Sequence, residues 1–425
     1  DFDGDKIKSI ETVHSETEGL GDQAIEKLTD EVVANNSVKV DTVSGATNSS
    51  VGFLEAVTAA IADSGRDVKN FQNEVAAKNT KEKTDSTKDV DVVVVGGGGA
   101  GFAAAVTAKE DGANVVLLEK MPQVGGNTLI SGGEMAAPDN ELQKEEGIED
   151  SKEQFAKDVK EAGGDPELID VLADHATEDA YWLRDDIGVH WLDSLMFFGG
   201  HSVKRSLIPE AHSGNELIKN YTKKCDELGI DVITEADVKE ILTKDDKVVG
   251  VKAETPDGEL TVNAKSVVLA TGGFGANDDM TYEYDHEIDE HIKSTNAPGA
   301  TGDGIKMAEK LNADTVDMDQ IQLYPICDVD TGRILYTGDT RLVGGALLVN
   351  KEGDRFVEEL ATRREISLAI KDQTDHVGYL IWDEKSNETT GTMASNPQEA
   401  EEQFEKGNLV KADTIEELAD HFDLD

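Results

Sequence analysis

Asp91-Val-Val-Val-Val-Gly96-Gly97-Gly98-Gly99-Ala100-Gly101-Phe-Ala-Ala-Ala-Val106 is the stretch from which this 425-residue chain is best read. A run of β-branched residues meets a glycine cluster and continues into an alanine-rich segment, which predicts strand, tight turn and helix. Gly96, Gly98 and Gly101 fall on the G-x-G-x-x-G spacing. The first glycine permits the turn, the second lets main chain approach a pyrophosphate, and the third lets the helix pack against the strand. The helix N-terminus then presents free N–H groups to phosphate. A second apolar run, Asn114-Val-Val-Leu-Leu-Glu119, ends in an acid at the place where ribose hydroxyls are bound. The two elements in this order indicate a dinucleotide site. The glycine spacing alone also fits a turn in an ordinary α/β protein.

Working outward, Glu119-Lys120 is followed by Gly125-Gly126-Asn127-Thr128 and by Ser131-Gly132-Gly133. Later comes Val267-Val268-Leu269-Ala270-Thr271-Gly272-Gly273-Phe274, read as a second buried strand running into glycines. Glycine-rich backbone of this extent lets a large flavin lie against the main chain, which favours FAD over NAD. Asn296-Ala-Pro-Gly-Ala-Thr301-Gly302-Asp303-Gly304 opens a helix expected through Ile305–Leu311. Asp303 is a candidate cofactor residue there, or simply a turn or cap residue.

These motifs, in this order, resemble the flavoprotein subunit of the fumarate reductase and succinate dehydrogenase superfamily. The nearest likeness is to the soluble, single-chain fumarate and urocanate reductase type, over residues 90 to 425. The resemblance implies an α/β and α+β multidomain protein. Its parts are a Rossmann-like FAD domain with inserted β elements (90–320) and a partial clamp domain (321–425), preceded by a small α+β domain (1–70) and a linker (71–89). FAD is expected to be non-covalent.

In the small domain a strand near Lys6–Val13 and a helix near Asp22–Asn35 precede Ser44-Gly45-Ala46-Thr47, with a further helix to about Ala62. Ser44-Gly45-Ala46-Thr47, with Asp41, Ser49 and Ser50, resembles the flavinylation motif of FMN-binding domains. In that family a dedicated flavin transferase links the FMN phosphate to the threonine hydroxyl, which implies covalent FMN at Thr47. The alternative is a Ser/Thr helix cap. Residues 71 to 89 are polar and without hydrophobic period, hence a tether. Residues 136 to 200 read as mostly helical, with Tyr181, Trp182 and Trp191 as core. A helix over Asn215–Leu228 and a strand over Asp231–Thr234 follow. Strands near Val238–Leu242 and Val248–Ala253, with Asp257-Gly258 as a hairpin turn, form a β insert.

Composition excludes several classes. The chain has 40 Lys+Arg against 89 Asp+Glu, a formal net charge of −49. Nucleic acid binding needs a basic surface, and anionic lipid would be repelled. Cys225 and Cys327 are the only cysteines, so four-cysteine iron–sulfur ligation and C-x-x-C-H haem attachment are out. The nine histidines show no metal-ligand spacing, and no metal is expected. No apolar run approaches the roughly 20 residues of a membrane helix. These residues show no secretory signal pattern. The location favoured is extracytoplasmic or at a bacterial cell surface, with the cytoplasm left open.

The reacting residues come from the same resemblance. Gln320-Ile-Gln322-Leu-Tyr324-Pro325 matches a segment in which fumarate reductases carry a substrate histidine; here Tyr324 stands in its place. Tyr336-Thr337-Gly338-Asp339-Thr340-Arg341 occupies the position of a Thr-Glu pair followed by arginine. Gly338 replaces the threonine, Asp339 the glutamate, and Arg341 stands one position away from the family arginine. Ala361-Thr362-Arg363-Arg364 aligns Arg363 with the family's catalytic acid. The resemblance therefore implies a proton from Arg363, a relay through Asp339 and Arg341, and substrate contacts from Tyr324, Gly338 and Asp339. Tyrosine and aspartate at these places resemble urocanate reductases, in which they face the imidazole. The expected substrate is a urocanate-like 2-enoate, with electrons arriving from an external donor through FMN. The alternatives are fumarate reduction and an FMN/FAD electron-relay module without alkene chemistry. The family's second substrate histidine, a further carboxylate-binding arginine and its last FAD segment fall beyond Asp425. By the same resemblance the small domain lacks strands before Asp1.

Overall fold

The structure is a computed structural model that describes residues 1–4, 6–14, 21–43, 47–73, 83–329, 332–343 and 345–424. Its contacts group into two units, Asp1–Gly273 with Ala297–Thr315, and Phe274–Asn296 with Val316–Asp425.

The first unit begins with the small domain. Helices Gly21–Asn35 and Thr47–Asp63 pack around Leu28, Val32, Phe53, Val57 and Ile61, closed by Phe71. Apolar residues at i, i+3 and i+4 on both helices produce this seam. The strand expected over Lys6–Val13 is confined to Lys6–Ile7, paired with Phe2–Asp3. Phe71 is core rather than linker, since its carbonyl accepts from Val38 N at 2.7 Å.

The main sheet has six strands. Their spatial order is Asp231–Ile233, Val115–Leu118, Ser86–Val95, Gly258–Leu269, Lys247–Thr255 and Asp237–Lys244. The first four run parallel in register, with Val95 opposite both Leu118 and Leu269. The last two are the expected β insert, added antiparallel. Alternation sends Val94 and Leu117 to one face, against Phe102, Val106 and Tyr221 of helices Gly99–Glu110 and Asn215–Leu228. Val93, Val95, Val116 and Leu118 face the other side, with Ile241, Val251 and Met307.

Local readings shift at three places. The strand Ser86–Val95 starts inside the stretch read as linker, because backbone pairing of Ser86–Lys88 with Leu260–Val262 needs no apolar side chains. Val267 and Val268 are half-buried and Leu269 is exposed, so that strand end is not the buried run its composition suggested. Residues 136 to 200 hold helices Lys152–Ala162 and Pro166–Trp182, but also Trp191–Met196 of a three-stranded sheet with Met135–Ala136 and Ser206–Pro209. Trp182 and Trp191 do line the core, as expected.

In the second unit, helix Arg363–Lys371 is tied to the segment 274–296. Arg364 pairs with Asp285 at 2.6 Å and Glu287 at 2.7 Å, and Lys371 with Asp289 at 3.3 Å. The strands Leu347–Val349 and Tyr379–Ile381 pair antiparallel. A loop closed by the bridge of Cys327 with Ile334 leads into the 3-10 helix Tyr336–Val343.

Candidate cofactor and reaction sites

The glycine turn sits at the carboxyl ends of three parallel strands, where open α/β sheets bind ligands. Its glycines divide by what a side chain would meet. Gly96 has φ +110°, and a Cβ there would lie 2.3 Å from the Ala270 carbonyl oxygen. A Cβ on Gly101 would lie 1.9 Å from the Gly96 carbonyl oxygen. Both glycines are demanded by the fold itself. Gly98 is different: its nearest neighbour would be the Gly125 carbonyl oxygen at 3.7 Å. Gly126, Gly272 and Gly273 would meet nothing within 4 Å. Three glycines thus border open space, and Gly98 has room for a methyl group, a cradle suited to a flat, phosphate-bearing ligand.

Second-row residues hold the cradle together. Glu119, 8% exposed, accepts from Gly97 N at 2.7 Å and from Met121 N at 2.8 Å. Thr128 Oγ1 accepts from Gly99 N at 3.1 Å, and Asn127 Oδ1 from Ala297 N at 2.6 Å. Gly302 N donates to the Gly273 carbonyl at 3.1 Å. Thr271 leaves Gly304 no room for a Cβ, its Oγ1 lying 2.0 Å from that position. Lys120 Nζ donates to Thr301 Oγ1 and Asp303 Oδ2, each at 2.6 Å. Although burial opposes it, the Lys120 and Thr301 bonds hold the Asp303 carboxyl below its ordinary range. Asp303 is the first residue of helix Asp303–Glu309, so the helix opens two residues before the expected start. Gly133, at φ +77°, packs against the main chain of Gly214, and a Cβ on Gly132 would meet the Glu134 carboxylate. Sequence reasoning missed Gly214. Gly125, at φ +120°, bridges to Gly98, and a Cβ on Gly214 would lie 1.7 Å from the Thr128 carbonyl oxygen.

Ser44, Gly45 and Ala46 lie outside the described residues. Thr47 is the first residue of helix Thr47–Asp63, and Ser50 Oγ accepts from Val43 N at 3.0 Å.

The second unit gathers the reacting residues. Tyr324 Oη donates to Asp339 Oδ1 at 2.8 Å, and the Arg363 guanidinium lies 4.9 Å from the Tyr324 ring centroid. Burial holds the Asp339 carboxyl above its ordinary value, against the Tyr324 bond and the charges of Arg341 and Arg363. Burial and the neighbouring Asp339 charge push the Tyr324 phenol up. Arg341 is 4% exposed; its Nη1 donates to the Glu359 carbonyl at 2.9 Å, while Nε has no hydrogen-bond partner among the described residues. Burial pushes its guanidinium down. Arg363 is exposed and opens helix Arg363–Lys371, which Thr362 and Glu365 cap reciprocally. It forms no ion pair among the described residues. Gly338 is a glycine for steric reasons: a Cβ there would lie 2.2 Å from Ile326 Cγ2. Among the described residues no group of acidic, histidine or cysteine side chains is arranged to hold a metal ion.

Sheet, switch-point glycines and buried acid together define a flavin-type dinucleotide-binding protein. The chain belongs to the family described as FAD binding domain, matched over residues 91–380, and carries an FMN-binding domain over residues 1–62. It is 45% identical over 432 residues to a urocanate reductase of Eggerthella lenta, covering all of this chain and 71% of that protein. An NADH:fumarate oxidoreductase of Klebsiella pneumoniae is 34% identical over 431 residues, covering all of this chain and 44% of that protein. The open conformation of a flavocytochrome c3 fumarate reductase aligns with TM-score 0.70 and 35% identity, over 79% of this chain and 59% of that one. The chain thus spans between under half and about seven-tenths of these relatives. These matches bear out the resemblance to FAD-dependent fumarate and urocanate reductases. No helix of the described residues is long and apolar enough to cross a membrane.

Proposed function

We propose that the protein to which this chain belongs reduces the C=C bond of a 2-enoate, with a urocanate-like acrylate preferred to fumarate. The observation that carries this is the Tyr324–Asp339 hydrogen bond with Arg363 beside the ring. A phenol and a short carboxylate form a polar wall that accepts hydrogen bonds from ring N–H groups. Fumarate would instead call for a cationic or donor partner to its second carboxylate. The Eggerthella lenta relative points the same way.

When bound, the flavins would supply the reducing electrons, FMN as the entry point for an external donor and FAD as the hydride source. The chain's own residues do the rest. Thr47 would bear the FMN through its hydroxyl, after action of a flavin transferase. Gly98, Gly126, Gly272 and Gly273 would hold FAD against their main chain, with Glu119 and Lys120 beside it. Arg363 neutralises charge developing on the substrate carboxylate and gives a proton to the α-carbon. Asp339 and Arg341 return a proton to it. An extracytoplasmic or cell-surface place in a bacterium fits an enzyme fed by an outside donor.

The test is anaerobic oxidation of reduced viologen by the full-length, flavin-loaded protein with urocanate, fumarate, acrylate and other aryl acrylates. The highest kcat/KM is expected with urocanate. Preference for fumarate would make it a fumarate reductase, and no turnover with any enoate would leave an electron-relay module.

A further inference from the structure

Helix N-termini leave N–H groups without partners inside the helix, and a polar residue just before the helix usually supplies them. The 3-10 helix Tyr336–Val343, which carries Asp339 and Arg341, is preceded by Leu335 and has no such residue. Its N–H groups find a carboxylate far along the chain instead. Glu399 Oε1 accepts from Thr337 N at 2.7 Å, and Oε2 from Tyr336 N at 3.2 Å.

Glu399 belongs to helix Pro397–Lys406, whose same face grips the preceding loop. Glu402 pairs with Arg333 at 2.8 Å. Gln403 and Lys406 donate to the buried Asp328 at 3.1 and 3.0 Å. Positions 399, 402, 403 and 406 follow the i, i+3, i+4, i+7 stripe of a helix. One helix face therefore holds both the loop after Tyr324 and the first turn that leads to Asp339. The charged or titratable groups facing Asp339 are Tyr324, Arg341, Arg363 and Glu399.

We propose that Glu399 is a positioning residue for Asp339, setting the orientation of the helix that aims Asp339 at Tyr324 and adding a second negative charge beside it. The inference rests on the reading of Asp339 as proton relay. A like charge disfavours ionisation, and Glu399 acts on Asp339 in that direction, after burial.

The test uses the full-length protein with Glu399→Gln and Glu399→Asp. Isotope-edited infrared spectra with 13C-aspartate, assigned by difference from Asp339→Asn, report the pH at which Asp339 protonates, independently of turnover. In Glu399→Gln that midpoint should move to lower pH by roughly half a unit or more, the size expected of one partly screened charge. Its kcat should fall about tenfold with KM nearly unchanged, as an interaction felt in the transition state requires. Glu399→Asp keeps the charge but shortens the reach, so it should show the wild-type midpoint with reduced kcat. An unmoved midpoint in Glu399→Gln overturns the proposal; if that variant does not fold, wild-type kcat in Glu399→Asp overturns it. Absence of enoate turnover in every protein, wild type included, refutes the assigned reaction, while the infrared midpoint still decides the role of Glu399.

Discussion

Tyr324 Oη and Asp339 Oδ1 meet at 2.8 Å across a loop whose ends are bonded to each other, Leu335 N donating to the Ile326 carbonyl at 3.2 Å. The pair is half-buried, and that burial raises the Asp339 carboxyl. A carboxyl whose folded-state pKa lies above its unfolded value binds more protons when folded, so stability falls as pH rises through the window from 3.8 upward. Asp339→Asn removes that cost and keeps an acceptor for Tyr324. The variant should melt no lower than wild type at pH 7.5 while losing enoate turnover. A lower melting temperature with full turnover would reverse the assignment.

Arg363→Lys keeps a positive charge but loses the planar fork. Turnover with urocanate should fall roughly 10³-fold or more, near the range lost with a general acid. Flavin content should not change, because Arg363 is exposed and has no ion pair among the described residues to lose. Stopped-flow reoxidation of the reduced full-length protein by urocanate measures this. Reoxidation at the wild-type rate would move the proton donor elsewhere.

Gly98 and Gly101 separate binding from folding. Gly98→Ala meets nothing closer than 3.7 Å and should unfold within about 1 kcal/mol of wild type, yet bind FAD at least tenfold more weakly with FMN retained. Gly101→Ala pushes a methyl to 1.9 Å from the Gly96 carbonyl and should cost about 3 kcal/mol or more. Flavin absorbance per protein and urea midpoints decide. Normal FAD affinity in Gly98→Ala would count against the cradle.

Gly338→Ala should destabilise by about 1–3 kcal/mol through its clash with Ile326 Cγ2. Ile326→Ala in the same chain should recover most of that. A double-mutant cycle should show coupling of roughly 0.5–3 kcal/mol, whereas additive effects would mean that Ile326 yields freely.

Thr47→Ala, expressed with a flavin transferase, should yield protein without covalent FMN by peptide mass spectrometry. An FMN-sized adduct elsewhere in the chain would displace the site from Thr47.

Much of this was legible from local chemistry. The Asp91–Val95 part of the first parallel strand, the turn and helix Gly99–Glu110 follow from β-branched residues, glycines and alanines acting over a few positions. Gly96 and Gly101 are dictated by contacts with near sequence neighbours and the adjoining strand. The order of motifs identified the family, since several short signals in register are specific where one is not. Residues without local signatures were decided only by the tertiary structure. Glu399 serves N–H groups 62 and 63 positions away, Gly214 is a glycine because of the Thr128 carbonyl, and Gly338 because of Ile326. The same holds for the exposed Leu269, whose apolar run suggested a core. Sequence periodicity reports which face of an element is apolar. What lies against that face, and how closely, is set by chain segments that meet only when the protein folds.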